Sequence, residues 1–251
     1  MRMYLLDYGY TDVDKGMVLT LGRDVGKVVS TPIWGALVET RAGWVLIDTG
    51  MNPVHINQPD ATFAGTPLSG KIVTVMTSQN RADECVRACG VDPAEIVMIL
   101  NSHLHFDHCG GNALFPTAEI VVQKKHYEWA MLPESQCPRR DFDLPHARWR
   151  FVDGEEEVLP GIHLILTPGH VPYHQSFLLN LPQGPVIIAA DAASLAETMA
   201  PGAEITADDP RLYHASIAKL ERLAHDTGAR ILLSHDQALW QQWPHAPECF
   251  H

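Results

Sequence analysis

Apolar runs along this chain are short. Most have the two-residue alternation or the compact length of β-strands. Residues 34–39, the turn Thr40-Arg41-Ala42-Gly43 and residues 44–47 read as a hairpin, closed by the turn signal Asp48-Thr49-Gly50. Residues 96–100 form a fully apolar strand and 118–122 another. Further strands are expected at 156–158, 162–166, 175–179, 186–190 and 231–233. Helical spacing is rarer. It is clearest over 210–226, where Leu212, Ile217, Leu220 and Leu223 share a face, Asp208 or Asp209 caps the start and Gly228 marks the stop. Shorter helices are expected over 80–89 and 123–131.

This order of elements predicts an α+β fold: an αββα sandwich, with two β-sheets packed together and helices outside. The length of 251 residues, 46% of them hydrophobic, suits one domain spanning 1–251. Residues 52–71, rich in Pro, Asn, Gly and Thr, read as a long loop of the kind that forms a binding wall. No strand-to-helix GxGxxG or GxxxxGK[ST] motif is present, so dinucleotide and P-loop chemistry drop out.

Charge narrows the partners. A formal net charge of -12 argues against nucleic acid and anionic membranes, which need basic surfaces. Lys124-Lys125 and Arg139-Arg140 are short and read as solvated surface. No run approaches the roughly 18 apolar residues of a membrane span, and Asp7 ends the N-terminal apolar run early. The five cysteines form no CxxC pair, and reduced thiols in a cytoplasmic protein are the expectation.

Candidate chemistry concentrates in Ser102-His103-Leu104-His105-Phe106-Asp107-His108. Three imidazoles and a carboxylate this close suit zinc or iron. Any one of these histidines alone would more often be structural. Three later strand ends, however, add His170, Asp191 and His235. Seven ligands exceed one tetrahedral zinc site and fit two metals if a carboxylate bridges. His103 and His105 can share one metal, while Asp107 and His108 reach a second. Asp48 fits either a turn cap or a residue that holds a ligand histidine from behind.

The run His-x-His-x-Asp-His, with Asp48-Thr49-Gly50, Gly110-Gly111-Asn112, Thr167-Pro168-Gly169-His170, His174-Gln175-Ser176, Asp191-Ala192 and Ser234-His235-Asp236, resembles the metallo-β-lactamase superfamily. Within it the chain looks closest to the N-acyl homoserine lactone lactonases, the quorum-quenching lactonases. The resemblance implies that His103, His105 and His170 bind one metal, Asp107, His108 and His235 a second, and that Asp191 bridges. It implies two divalent ions, zinc first, with iron, cobalt or manganese accepted by the same ligands. It also implies opening of a small-molecule lactone by a metal-bridging hydroxide, with Asp107 carrying a proton to the leaving alkoxide. A monomer or homodimer is expected.

The alternatives carried with this reading are another lactonase, a glyoxalase II-like thioesterase, a carbapenem-type β-lactamase and a mononuclear-iron sulfur dioxygenase. Phe63, Leu68 and Phe106 are expected to contact substrate, with residues 17–21 as a further candidate wall. One departure stands out. The related lactonases usually carry a tyrosine three residues after the bridging aspartate, where this chain has Ser194, also expected at the substrate. Tyr173 and Tyr213 are candidate substitutes for that phenol, although a structural role is the commoner one for each.

Overall fold

The computed structural model describes residues 1–250. Its strands are β1 (Met3–Asp14), β2 (Val28–Thr40), β3 (Gly43–Ile47), β4 (Ile72–Val75), β5 (Ile96–Leu100), β6 (Glu119–Gln123), β7 (Arg148–Val152), β8 (Glu156–Leu159), β9 (Ile162–Leu166), β10 (Gln175–Leu181), β11 (Gly184–Ala190) and β12 (Arg230–Leu233). Its α-helices are α1 (Lys15–Val18), α2 (Ala82–Ala88), α3 (Phe106–Cys109), α4 (Lys124–Ala130), α5 (Arg139–Phe142), α6 (Pro210–Thr227) and α7 (Gln237–Trp240). One sheet has the order β4-β1-β2-β3-β5-β6-β7 and the other β12-β11-β10-β9-β8. Both are mixed: β3, β5, β6 and β7 run parallel, as do β11 and β12, and the other pairs are antiparallel.

Strand alternation explains the layers. Leu5, Ala36, Ile47 and Leu100 face Leu164, Phe177 and Ile188 of the second sheet. Their neighbours Leu6, Leu37, Leu46 and Ile99 turn the other way, into a cluster that includes Val86 of α2. Behind the second sheet, Ile165 and Ile187 pack on Tyr213, Ile217 and Leu220 of α6. Central strands with both faces covered read as continuous apolar runs. Each fully buried large side chain contributes roughly 1.5–3 kcal/mol. Helix α6 is capped as its sequence predicts, by the Asp209 carboxylate accepting from Arg211 N (2.9 Å) and Leu212 N (3.1 Å).

The expected αββα arrangement is therefore present, with three strands added. β1 is buried along most of both faces, so it shows no alternation. It also bends at Gly9, where φ is +94° and a Cβ would lie 2.4 Å from Val75 O. β4 has only four residues and follows directly on the 52–71 loop. β7 is a charged edge strand, Arg-Trp-Arg-Phe-Val. Among the described residues no helix is long and apolar enough to cross a membrane.

Candidate metal centre

Five strand ends converge on one edge of the sandwich. β3 leads to Asp48, β5 to residues 102–108, β9 to His170, β11 to Asp191 and β12 to His235. The parallel register Ile47↔Leu100 sets the first two side by side, and Ala190↔Leu233 sets the last two. A register shift in β11 between Ile188 and Ala190 re-aims the chain. Ala190 there takes φ of 46°, a strained value for a residue with a Cβ. That bend delivers Asp191.

The side chains fall into two triads. Ligand-type atoms of His103, His105 and His170 lie within 4.8 Å of one another, as do those of Asp107, His108 and His235. Asp191 stands between them. Its Oδ2 is 3.2 Å from His170 Nε2, and its Oδ1 is 3.2 Å from both His108 Nε2 and His235 Nε2. Asp107 Oδ2 is 3.7 Å from the same two nitrogens. Asp107 and His108 sit on α3, a single turn beyond the extended His103–His105 segment.

The far nitrogens fix the tautomers. His108 Nδ1 donates to Asp48 Oδ2 at 2.8 Å, and His235 Nδ1 to Pro32 O at 3.0 Å. In the neutral form that binds a cation, rings held this way would turn Nε2 lone pairs toward the Asp191 carboxylate. His108 Nε2 and Asp191 Oδ1 are buried and have no hydrogen-bond partner. The second triad repeats the pattern. Ser102 Oγ donates to Asp48 Oδ2 (2.7 Å) and so accepts from His103 Nδ1 (3.0 Å). His103 Nε2 then faces His105 Nδ1 at 3.0 Å, with His170 Nε2 at 3.1 Å from the same atom. Converging lone pairs in a buried site need a cation, because unpaired polar atoms cost several kcal/mol there. The donor set, imidazole with carboxylate, fits divalent zinc or iron.

Titration without a cation shows the same demand. Burial lowers His108 and His235, but the carboxylates of Asp191 and Asp107 outweigh it and hold both imidazoles above their ordinary range. Burial and neighbouring rings push His103 and His105 well below it. Asp191 is held well below the carboxylate range, as His235, His108 and His170 overcome its burial.

Asp48 lies behind the cluster at φ of 55°, accepting from Ser102 N (2.8 Å), Ser102 Oγ and His108 Nδ1. It does not face the cleft. His126, which the sequence reading did not single out, also braces the ligand segment: its Nε2 accepts from Leu104 N at 2.9 Å and its Nδ1 donates to Pro172 O at 2.7 Å. Only its place on a helix unrelated to the motif could have marked it. The ligand segment is further tied down by Asn112, whose amide donates to Asn101 Oδ1 (2.9 Å) and accepts from Thr49 Oγ1 (2.8 Å).

A cleft of about 280 Å³ opens over both triads. Phe63, Leu68, Phe106 and Ser194 line it, and Met17, Val18 and Leu19 add to its apolar side. Phe63 and Phe106 meet edge-on at 4.9 Å. Leu21 is 59% exposed and stands away from it. Of the two candidate tyrosines, Tyr213 lines the cleft beside Ser194. Tyr173 is 38% exposed and packs on Lys125 instead.

Comparison with known proteins places the chain. The profile of the metallo-β-lactamase superfamily matches residues 31–235. The N-acyl homoserine lactonase AiiA of Bacillus thuringiensis subsp. kurstaki is 35% identical over 236 residues, covering 94% of this chain and 93% of its own. The N-acyl homoserine lactonase AttM of Azorhizobium caulinodans is 32% identical over 263 residues, covering 98% and 97%. A crystal structure of an N-acyl homoserine lactone hydrolase, with its product N-hexanoyl-L-homoserine bound at the catalytic metal centre, superposes with a TM-score of 0.92 at 32% identity over 99% of this chain and 98% of that one. By fold, sequence match and ligand-type side chains, this chain belongs to the metallo-β-lactamase superfamily.

Proposed function

We propose that this protein is a metal-dependent carboxylic ester hydrolase that opens the lactone ring of N-acyl homoserine lactones. The observation that carries the reading is the shared Asp191 between two triads of ligand-type atoms at the floor of a cleft with one apolar side. Relatives named N-acyl homoserine lactonases, matched over nearly the whole chain, support the substrate.

His103, His105 and His170 would hold one divalent ion and Asp107, His108 and His235 a second, with Asp191 contributing an oxygen to each. Zinc is the first choice, and the same donors accept iron, cobalt or manganese. When bound, such ions supply Lewis acidity for an ester carbonyl and bring water to a pKa near 7. The remaining work belongs to side chains. Asp191 is pinned by three imidazoles, whereas Asp107 touches two and only at 3.7 Å while lining the cleft. Asp107 is therefore the carboxylate freer to hold a proton and pass it to the leaving alkoxide. Phe63, Leu68 and Phe106 would shield the acyl chain from water, and the Ser194 hydroxyl would meet the polar head.

Among the described residues the cleft lining carries no lysine or arginine, which favours a neutral lactone over the anionic thioester of a glyoxalase II-like enzyme. We read the chain as one hydrolase domain, monomeric or homodimeric, in a cytoplasmic setting. In a pH-stat, the metal-loaded protein is expected to release one proton per N-acyl homoserine lactone opened. No turnover across a panel of acyl lengths would contradict the reading.

A further inference from the structure

We propose that the Tyr213 hydroxyl donates a hydrogen bond to a lactone oxygen in the cleft, making Tyr213 a catalytic residue supplied by α6 rather than by a strand end. The inference rests on the lactonase reading above.

Tyr213 is fixed relative to the metal centre. It sits in the first turn of α6, and that turn is stapled to the His170 loop: Asp209 N donates to Gly169 O (2.9 Å), Asp208 N to His170 O (3.1 Å) and Ser216 Oγ to Pro168 O (2.7 Å). Gly169 makes the approach feasible, since a Cβ there would stand 2.2 Å from Tyr213 N, and its φ is +140°. The phenol lines the same cleft as Asp191, Ser194 and His235.

Its proton is under-used. The hydroxyl oxygen accepts from Ser194 N at 3.3 Å. Its other neighbours are the Ser194 hydroxyl and Thr198 Oγ1, the latter at 3.4 Å. The single Thr198 proton goes to Leu195 O at 2.8 Å, and its oxygen also accepts from Leu195 N at 3.2 Å. In the Tyr213–Thr198 contact the phenol must therefore be the donor, and at 3.4 Å the bond is weak. A phenol that is 2% exposed normally gives its proton to a close acceptor. Among the described residues Tyr213 meets only hydroxyl oxygens and has no carbonyl or carboxylate acceptor, so a lactone oxygen entering the cleft would be the stronger acceptor. Burial also keeps the phenol protonated at neutral pH, a donor rather than a phenolate.

Such a donor strengthens as charge develops on the lactone oxygen, while the proton stays on the phenol. The packing part of the side chain, its ring against Ile217 and Ala193, is kept by phenylalanine.

The test compares metal-loaded wild type with Tyr213→Phe on an N-acyl homoserine lactone. It adds the ultraviolet difference spectrum on binding the ring-opened N-acyl homoserine, which retains the ester oxygens. Tyr213 is the one tyrosine lining the cleft among the described residues. We expect kcat to fall about 10- to 100-fold, with KM within about threefold, and the wild-type tyrosine band to vanish in the variant. If wild type opens lactones while Tyr213→Phe keeps its kcat within about twofold and an unchanged spectrum, Tyr213 only packs and the lactonase reading survives. If fully loaded wild type opens no lactone, both fall. Should the variant lose metal or melt early, the wild-type spectrum decides: no tyrosine band on ligand binding overturns the proposal.

Discussion

The floor of the cleft and its walls are built on different principles. The floor is a set of strand ends on which His108, His235 and His103 are buried and oriented from behind, by Asp48, Pro32 O and Ser102, with His105 and His170 half-buried beside them. The walls are loops. One follows β1 and includes α1; the other is the stretch 52–71, which carries Phe63 and Leu68. Their anchors are ion pairs of Lys15 with Asp24 and Glu197 and of Arg23 with Glu197, and hydrogen bonds that the Arg140 guanidinium donates to Thr62 Oγ1 and Ala61 O. Precision is placed where charge must be held, and adjustability where, under the proposed function, an acyl chain would fit.

Substitutions should separate the two regions. The largest effect is expected at Asp191→Asn, which takes a shared charge from both triads; turnover should drop on the order of 10³-fold or more, with metal content falling in parallel by elemental analysis. Asp48→Asn, one layer back, should weaken metal binding about 10- to 100-fold while leaving the fold intact, read by competition with a chelator. A wall change behaves differently. Phe63→Ala should raise KM for long-chain lactones roughly tenfold at nearly constant kcat, and a matched loss of kcat would show that the wall positions the ester as well. Smallest is Glu197→Gln. Its ion pairs are partly exposed and worth about 0–1 kcal/mol, so KM should shift less than about threefold and the shift should fade with added salt.

Acidity probes the floor from another side. Burial pushes His126 down to about 4 from an ordinary 6.5. Between those values the unfolded chain holds a proton that the folded chain refuses, so stability is lost as pH falls from about 6.5 to about 4. Protonation would also turn a donor toward the Leu104 N–H that His126 now accepts. Thermal melts of chelator-treated protein should show this fall, and His126→Asn should flatten part of it.

The floor was far more legible than the walls. His103, His105, Asp107 and His108 are neighbours in sequence, and His170, Asp191 and His235 each follow an apolar run that had to be a buried strand. Asp48 could be named for the same reason, although its turn-cap and histidine-holding roles could not be told apart. His126 escaped, and Tyr213 could be named only alongside Tyr173, because their partners lie far along the chain, at Leu104, Pro172, Ser194 and Thr198. A pattern with period 3.6 gives Tyr213 a buried face without saying where its hydroxyl points. β1 escaped because burial on both faces erases alternation.

Under the proposed function, one buried carboxylate, Asp191, joins two cation sites that act together on an ester. Titrating metal-free protein with zinc, while following both bound metal per chain and lactone ring opening, tests it directly. Turnover should rise until two equivalents are bound, and the Asp191→Asn protein should gain little activity at any zinc level. Full activity at one bound ion per chain, or two bound ions without lactone opening, would contradict it.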